Sequence, residues 1–450
     1  MIRMLRLRSV IYRQLSRRLN MNLLISIGTI TILLITTGCN RTEINDSIVA
    51  IQIQDRNGLT ETISTPERLE NYNQIDFMTA QPYKKILRIY RNKGKSHSKI
   101  TTYHPNGGIW QYLEAEELRA HGAYKEWFAN GHQRIEARVI GGTADVAQGA
   151  QSDWLFHGIS RVWDEQGRLV AELPYNQGVL DGISLYYFPT GTIEKELPYQ
   201  NHILEGTSIE YYPNGEIRAK TSYKQGNKEG LSAGYFQNRQ IAWEEEYRDN
   251  LILKGSYYNT KGELLSKVDE GSGFRALFDG DTLSYLIQIQ QGFAEGGVKQ
   301  FTNKGDLQAI YYIKNGKKYG TETIYYLPQE RGDHSSKTAL QPKLSINWED
   351  NCVHGSVKTW YNNGQLQSQR DFCRNKKMGP SLSWYRDGSL MLVEEYDEDK
   401  LLKGQYYKKN GLDSISSVIN GSGIATLYDE NGVFLRKVSY IKGDSVDPND

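Results

Sequence analysis

Residues 206–230 read GTSIEYYPNGEIRAKTSYKQGNKEG, and their rhythm decides the fold. Six residues from Gly206 suit a strand and run into the ring pair Tyr211-Tyr212. Pro213-Asn214-Gly215 is a turn signal, because Asn-Gly supplies the positive φ that tight hairpins need. Ile217 to Tyr223 suits a second strand, Lys224 to Glu229 a polar turn, and Gly230 restarts the pattern. One unit is therefore a β-hairpin, and successive hairpins joined by short turns make an antiparallel meander. A 24-residue period filled by two strands and two turns leaves no room for a helix.

The unit recurs along most of the chain. Clear copies open at Ser98, Gly122, Gly158, Gly182, Gly206, Gly230, Gly296, Gly320, Gly355 and Gly379. In all ten the fifth residue after the opening is aromatic: Tyr103, Trp127, Trp163, Tyr187, Tyr211, Tyr235, Phe301, Tyr325, Trp360 and Trp384. Aromatics are 11% of the chain, so chance does not produce that column. Looser copies open near Gly255, Gly273, Gly404 and Gly423, giving about fourteen units. Two spacings are longer, and their surplus falls in Gly141–Asp153 and Gln329–Gln341, which read as loop insertions. Gly206, Gly230, Gly255 and Gly273 recur 149 or 150 residues later as Gly355, Gly379, Gly404 and Gly423, the trace of a block duplication.

Alternation places the ring column on one face, where each ring is expected to stack on its counterparts. At two strands per unit the sheet would extend on the order of 130 Å before twist, each unit leaning on its neighbours. The column reads either as packing that holds a one-layer sheet together or as a binding surface, since Tyr and Trp favour interfaces.

This pattern is similar to the MORN-repeat variant family, whose units run G-x-x-x-x-[WY]-[YF]-x-[ND]-G. Gly122…Trp127-Phe128…Asn130-Gly131, Gly206…Tyr211-Tyr212…Asn214-Gly215 and Gly355…Trp360-Tyr361…Asn363-Gly364 carry the resemblance, which spans about Ser98 to Gly443. Arg239 departs from it at the turn Gly. The resemblance implies an all-β, elongated single-layer sheet and a scaffold contacting protein or lipid. Some bacterial members are labelled antitoxins.

The N-terminus reads as an address. Residues 1–20 carry Arg3, Arg6, Arg8, Arg13, Arg17 and Arg18, and no acid precedes Glu43. An apolar run, Leu23 to Thr37, is about 15 residues, short for a membrane span but right for a secretory signal. It ends Ile35-Thr36-Thr37-Gly38-Cys39, which resembles a bacterial lipobox with Thr36 where Leu is usual. That resemblance implies cleavage before Cys39 and lipid on its thiol. Asn40, not Asp, is compatible with the outer membrane on the same resemblance. The alternative is an uncleaved signal anchor, and either reading puts the remainder outside the cytoplasm. Met21 is an alternative start that leaves almost no basic n-region.

The expected organisation is a signal peptide over 1–38 and a cap or linker over 39–97, with a hairpin and a short helix. Repeat block 1 then spans 98–290, a partly duplicate block 2 spans 291–443, and a tail spans 444–450. In the cap, Ile48–Gln54 and Leu59–Ile63 suit the hairpin, and Thr65-Pro66-Glu67 suits a helix start reaching about Tyr72.

Composition and motifs say little for chemistry. With 54 basic and 53 acidic residues the net charge is +1, and removing residues 1–38 brings it to −5, which argues against a nucleic-acid binder. His121, His157 and His354 each precede an opening Gly and read as solvated turn residues. No zinc, phosphate-loop or nucleophile-elbow spacing occurs, so no cofactor, metal or catalytic residue is assigned. Three cysteines are too few for a disulfide scaffold. With Asn363-Gly364 at the turn, Cys352 and Cys373 are diagonal neighbours that either bond in an oxidising compartment or pack apart. The function expected is a non-catalytic, lipid-anchored envelope scaffold contacting an unknown protein partner. The alternatives are an immunity or antitoxin-like protein sequestering an exported effector, or an envelope enzyme.

Overall fold

A computed structural model describes residues 48–446 apart from 82–83, 92–93, 95, 148 and 332–339. The signal segment 1–38, Cys39 and the last tail residues 447–450 lie outside the described residues. Among the described residues thirty-four strands form an open antiparallel meander, as the repeat rhythm predicts. The chain divides into two compact units, one ending at Asn227 and the other beginning at Lys228.

Two unlike turns alternate. In the hairpin of Gly206–Tyr211 and Ile217–Lys224, Gly206 faces Tyr223 and Glu210 faces Ala219 before the register slips at Tyr211. The turn between them is a three-residue one. The Tyr212 N–H donates to the Glu216 carbonyl, the Gly215 N–H donates to Tyr212, and only Gly215 takes positive φ, at 84°. Asn214 instead uses its side chain, accepting the Glu216 N–H at 3.0 Å. The mirror-image, two-residue turns sit at the other rim. Gln225-Gly226, Asn201-His202, Asp249-Asn250 and Arg374-Asn375 carry positive φ at both positions.

The polar stretch 224–229 is thus mostly strand. Only 225–226 turn, and the next strand runs Asn227–Tyr235 straight through the opening Gly230. The opening glycines lie at the start of strands (Gly206) or inside them (Gly355), the latter beside a register shift, and apart from Gly255 and Gly404 they carry positive φ (Gly206 103°, Gly355 94°). His121 and His354 consequently sit within strands, exposed, while His157 is half-buried.

In the first unit the cap has a core of its own. Ala50–Asp55 pairs with Thr60–Ile63 on one side. On the other it pairs with Lys84–Tyr90, a strand the sequence reading did not assign. The helix Pro66–Glu70 has Pro in its first turn and buries Leu69 against Ile51, Ile63, Ile89 and Phe77. The insertion at 141–153 is not a loose loop. It folds over the sheet, ends in a 3₁₀ turn, Ala150–Asp153, and seats Trp154 (2% exposed) edge-on against Tyr124 at 4.8 Å. Asp153 holds it closed by accepting the Thr143 N–H and hydroxyl.

Both rims are stitched by side chains. On the three-residue-turn rim the amides of Asn106, Asn130 and Asn363 each donate to a backbone carbonyl of the next unit's turn, at 2.7–3.0 Å. On the other rim Asn250, Asn351, Asn375 and Asp399 each accept an N–H from the preceding hairpin, at 2.6–2.8 Å.

In four units the sixth residue after the opening is a deeply buried ring. Tyr212, Phe236, Tyr361 and Tyr385 are buried, Tyr385 completely. Where a tyrosine holds this position its hydroxyl can reach the following hairpin: Tyr326 donates to the Trp360 carbonyl, Tyr361 to Trp384 and Tyr385 to Tyr407, at 2.7–2.9 Å. Replacing Tyr385 with Ala removes a whole buried ring and should cost about 3–5 kcal/mol. Tyr385→Phe removes only the hydroxyl and should cost about 1–2 kcal/mol. Urea unfolding should rank Tyr385→Ala as more destabilising than Trp384→Ala.

Candidate functional site

The ten rings at the fifth position are placed at the strand end where the register slips, nine beside a three-residue turn and Tyr325 beside the insertion before Gln341. Tyr103 is buried, and its hydroxyl donates to the Phe77 carbonyl of the cap at 2.8 Å. The other nine, Trp127, Trp163, Tyr187, Tyr211, Tyr235, Phe301, Tyr325, Trp360 and Trp384, are half-buried. Counterparts sit on every second strand, about 9–10 Å apart, farther than rings in contact. The expected stacking along the column is corrected accordingly. Rings that do meet lie elsewhere, such as Phe236 with Phe278 at 5.1 Å.

Two of them are tied to carboxylates one hairpin back. The Tyr187 hydroxyl donates to Glu172 and the Tyr211 hydroxyl to Glu196, both at 2.8 Å. Burial, with the carboxylate bond added, pushes each phenol up to about 12. The Arg161 guanidinium at 2.8 Å, helped by Tyr187, holds Glu172 below the usual carboxylate range.

A second ring column escaped the sequence reading. Each opening Gly faces a large side chain across the strand pair: Tyr175, Tyr199, Tyr223, Tyr247, Phe372 and Tyr396 among them. The spacing was legible, since these residues fall seventeen positions after their glycine. Some feed buried carboxylate clusters. Glu245 (3% exposed) accepts the Tyr247 and Tyr257 hydroxyls and takes Arg275 at 2.7 and 3.1 Å. In the duplicated block Glu394 keeps Tyr396 and Tyr406, but Ala425 stands where Arg275 would be. Burial first, and the Glu245 charge second, drive the Tyr257 phenol far above its ordinary value.

These acids are saturated by partners within the sheet. A depression of about 250 Å³ in the first unit is lined by Glu194, Lys195, Glu210, Tyr211 and Arg218, and there Arg218 pairs with Glu210. Among the described residues no three metal-ligating side chains converge. Cys352 and Cys373 are free thiols, both half-buried, one just after and one just before a two-residue turn.

Residues 180–201, 204–225 and 353–373 match the MORN repeat variant. Each matched stretch is one hairpin built around its three-residue turn. Hairpins outside them, such as Gly230 to Tyr247 and Gly379 to Tyr396, repeat the same register. No curated protein resembles the chain closely enough to count as a relative.

His202 holds the rim position that Asn250 and Asn351 hold elsewhere. Its Nδ1 accepts the Leu180 N–H at 3.0 Å, and burial holds the imidazole below its usual range despite a bond to Gly178. A depressed value means stability that is present above the ordinary His pKa of about 6.5 and lost as pH falls through the folded value. His202→Asn should keep the rim bond and remove that loss. Urea midpoints of the two proteins should agree at pH 8 and separate, with the variant higher, at pH 5.

Proposed function

We propose that the chain is a non-catalytic scaffold whose hairpins present half-covered rings to a protein partner in the cell envelope. The observation that carries this reading is the column itself. Nine aromatic side chains at one offset are half-buried, two of them tied by their hydroxyls to carboxylates, so part of each ring faces solvent. Rings fixed at that spacing offer large, rigid contact area at low entropic cost. The match to MORN variant repeats and the saturation of the carboxylates support a binding role over a reaction.

Anchoring follows from the N-terminal reading: cleavage before Cys39 and acylation of its thiol, with the outer membrane as destination. More than one acyl chain on that cysteine gives stable attachment. A bond between Cys352 and Cys373 belongs to the same reading, because export places the thiols in an oxidising compartment. An exported toxin as the captured partner would make the protein immunity-like.

The test is capture from detergent-solubilised envelope with the tagged full-length protein as bait, beside Trp163→Ala and Cys39→Ser. The wild type should co-purify a stoichiometric partner from the membrane fraction, with no free thiol before reduction. Trp163→Ala should lose the partner while its melting temperature moves little, and Cys39→Ser should leave the membrane. Unfolding of Trp163→Ala with the partner retained would contradict the surface role of the column.

A further inference from the structure

On the face that carries the ring column, charges alternate along one row of the first unit. Lys125 faces Glu136, Glu136 faces Arg161 and Arg161 faces Glu172, each on the neighbouring strand. Ion pairs close this ladder, Lys125 with Glu136 at 3.1 Å and Arg161 with Glu172 at 2.8 Å. Opposite charges directly across a strand pair stabilise it. The next cation is missing. Glu172 faces Leu185, Leu185 faces Glu196, and Glu196 faces Ile209. Lys125, Arg161 and Leu185 each stand three residues after an opening glycine, so Leu185 occupies a cation's place. Among the described residues Glu196 keeps the Tyr211 hydroxyl, at 2.8 Å, and no cation pairs with it.

Two residues along the strands, toward the two-residue turns, the same face becomes apolar. Ile159 faces Pro174, and Ile183 faces Pro198. Ile159 and Ile183 are 53% and 56% exposed. The Pro174 ring bridges the two hairpins by lying against Gly182, its Cγ 3.1 Å from where a Cβ would stand. Four other hairpins keep a polar or charged residue in this pair: Ala123 with Arg138, Thr207 with Ser222, Leu231 with Glu246 and Ser356 with Asp371. Alternation holds Ile183, Leu185 and Tyr187 on one side of their strand. A carboxylate without a cation therefore lies between an exposed apolar row and the half-covered rings of Tyr187 and Tyr211. What complements such a face is a cation with an apolar side chain on either side of it. Arginine fits better than lysine, because its planar fork matches a carboxylate and stacks on ring faces.

We propose that the face around Glu196 docks an extended segment of a partner protein with the pattern apolar-x-Arg-x-apolar. Laid along the strands, such a segment presents alternate side chains to the sheet, so its period of two matches the spacing of the rows beneath. Its arginine takes the missing cation's place over Leu185 and donates to Glu196. One apolar residue covers Ile183 and Pro198, and the other covers the rings of Tyr187 and Tyr211. This deepens the scaffold reading by naming one contact surface and the chemistry of what binds it, and it rests on that reading.

The probe is the fluorescent heptapeptide SLTRTLS, with SLTETLS and SSTRTSS as controls. Anisotropy with the full-length protein should show it binding about tenfold more tightly than either control. E196Q keeps an acceptor for the Tyr211 hydroxyl and should abolish the preference over SLTETLS. L185R puts the chain's own cation beside Glu196, and it should weaken SLTRTLS about tenfold while the melting temperature holds or rises. Equal affinity of the three peptides, or a preference that survives E196Q, would overturn the proposal. So would a dimer in sedimentation velocity that E196Q dissociates, since Glu196 would then belong to a contact between copies. E196Q also separates this site from the broader reading. If it captures the envelope partner as the wild type does, while the wild type shows no preference for SLTRTLS, this site falls and the scaffold stands.

Discussion

Left-handed backbone at fixed places is the constraint on which the structure depends. Between Gly206 and Gly230 positive φ occurs at Gly206, Gly215, Gln225, Gly226 and Gly230. Gly215 closes the hairpin, 225–226 reverses the chain at the other rim, and the opening glycines sit opposite the crossing rings. L-residues other than Asn, Asp and Gly resist that region, so the reversals cannot drift without cost. Once the chain must turn about every dozen residues, strands of eight or nine residues and a meander are what remain. The rings then fall where the turns put them.

That arrangement makes contacts local. Tyrosine hydroxyls and asparagine amides at each rim reach one hairpin onward, and the buried carboxylates gather phenols from adjacent strands. Stability in such a chain is close to a sum over neighbouring pairs, so a unit can change its surface without disturbing distant ones. The two copies of the glutamate cluster illustrate it. Arg275 is present in one and replaced by Ala425 in the other, and both hairpins still pair along their length although Gly273 faces Ile289 and Gly423 faces Tyr440, one residue farther on.

Much of this was legible in the sequence. The period, the hairpin class, the pairing of Gly355 with Phe372 that a turn at Asn363-Gly364 implies and the proline-led helix at 66 all follow from residue types and spacing. Three features were not. Strand ends at 224 and 227–229 are polar because 224 is exposed and 227–229 are only half-buried at the rim, so composition makes them look like turn. Burial at the sixth rather than the fifth position comes from the register slip at Tyr211, which simple alternation does not contain. The segment 141–153 read as loop from its Gly and Ala, while the deciding residue, Trp154, lies one position beyond it. For the candidate site, the ring column was found by its offset, whereas its half-exposed state and its carboxylate ties depend on neighbouring strands.

The most direct measurement is the sign of a methyl group's effect at Gly215. Its φ is 84° and nothing lies within 4 Å of where a Cβ would stand, so a side chain there meets backbone strain and no clash. Gly297 is the control: its φ is not positive and its nearest neighbours are 3.7 Å away. If left-handed turns govern the fold, Gly215→Ala lowers the unfolding free energy by about 1–2 kcal/mol. Gly215→Asn should lower it less, and Gly297→Ala should leave it equal or higher. A Gly215→Ala protein as stable as the wild type, or more so, would contradict the account.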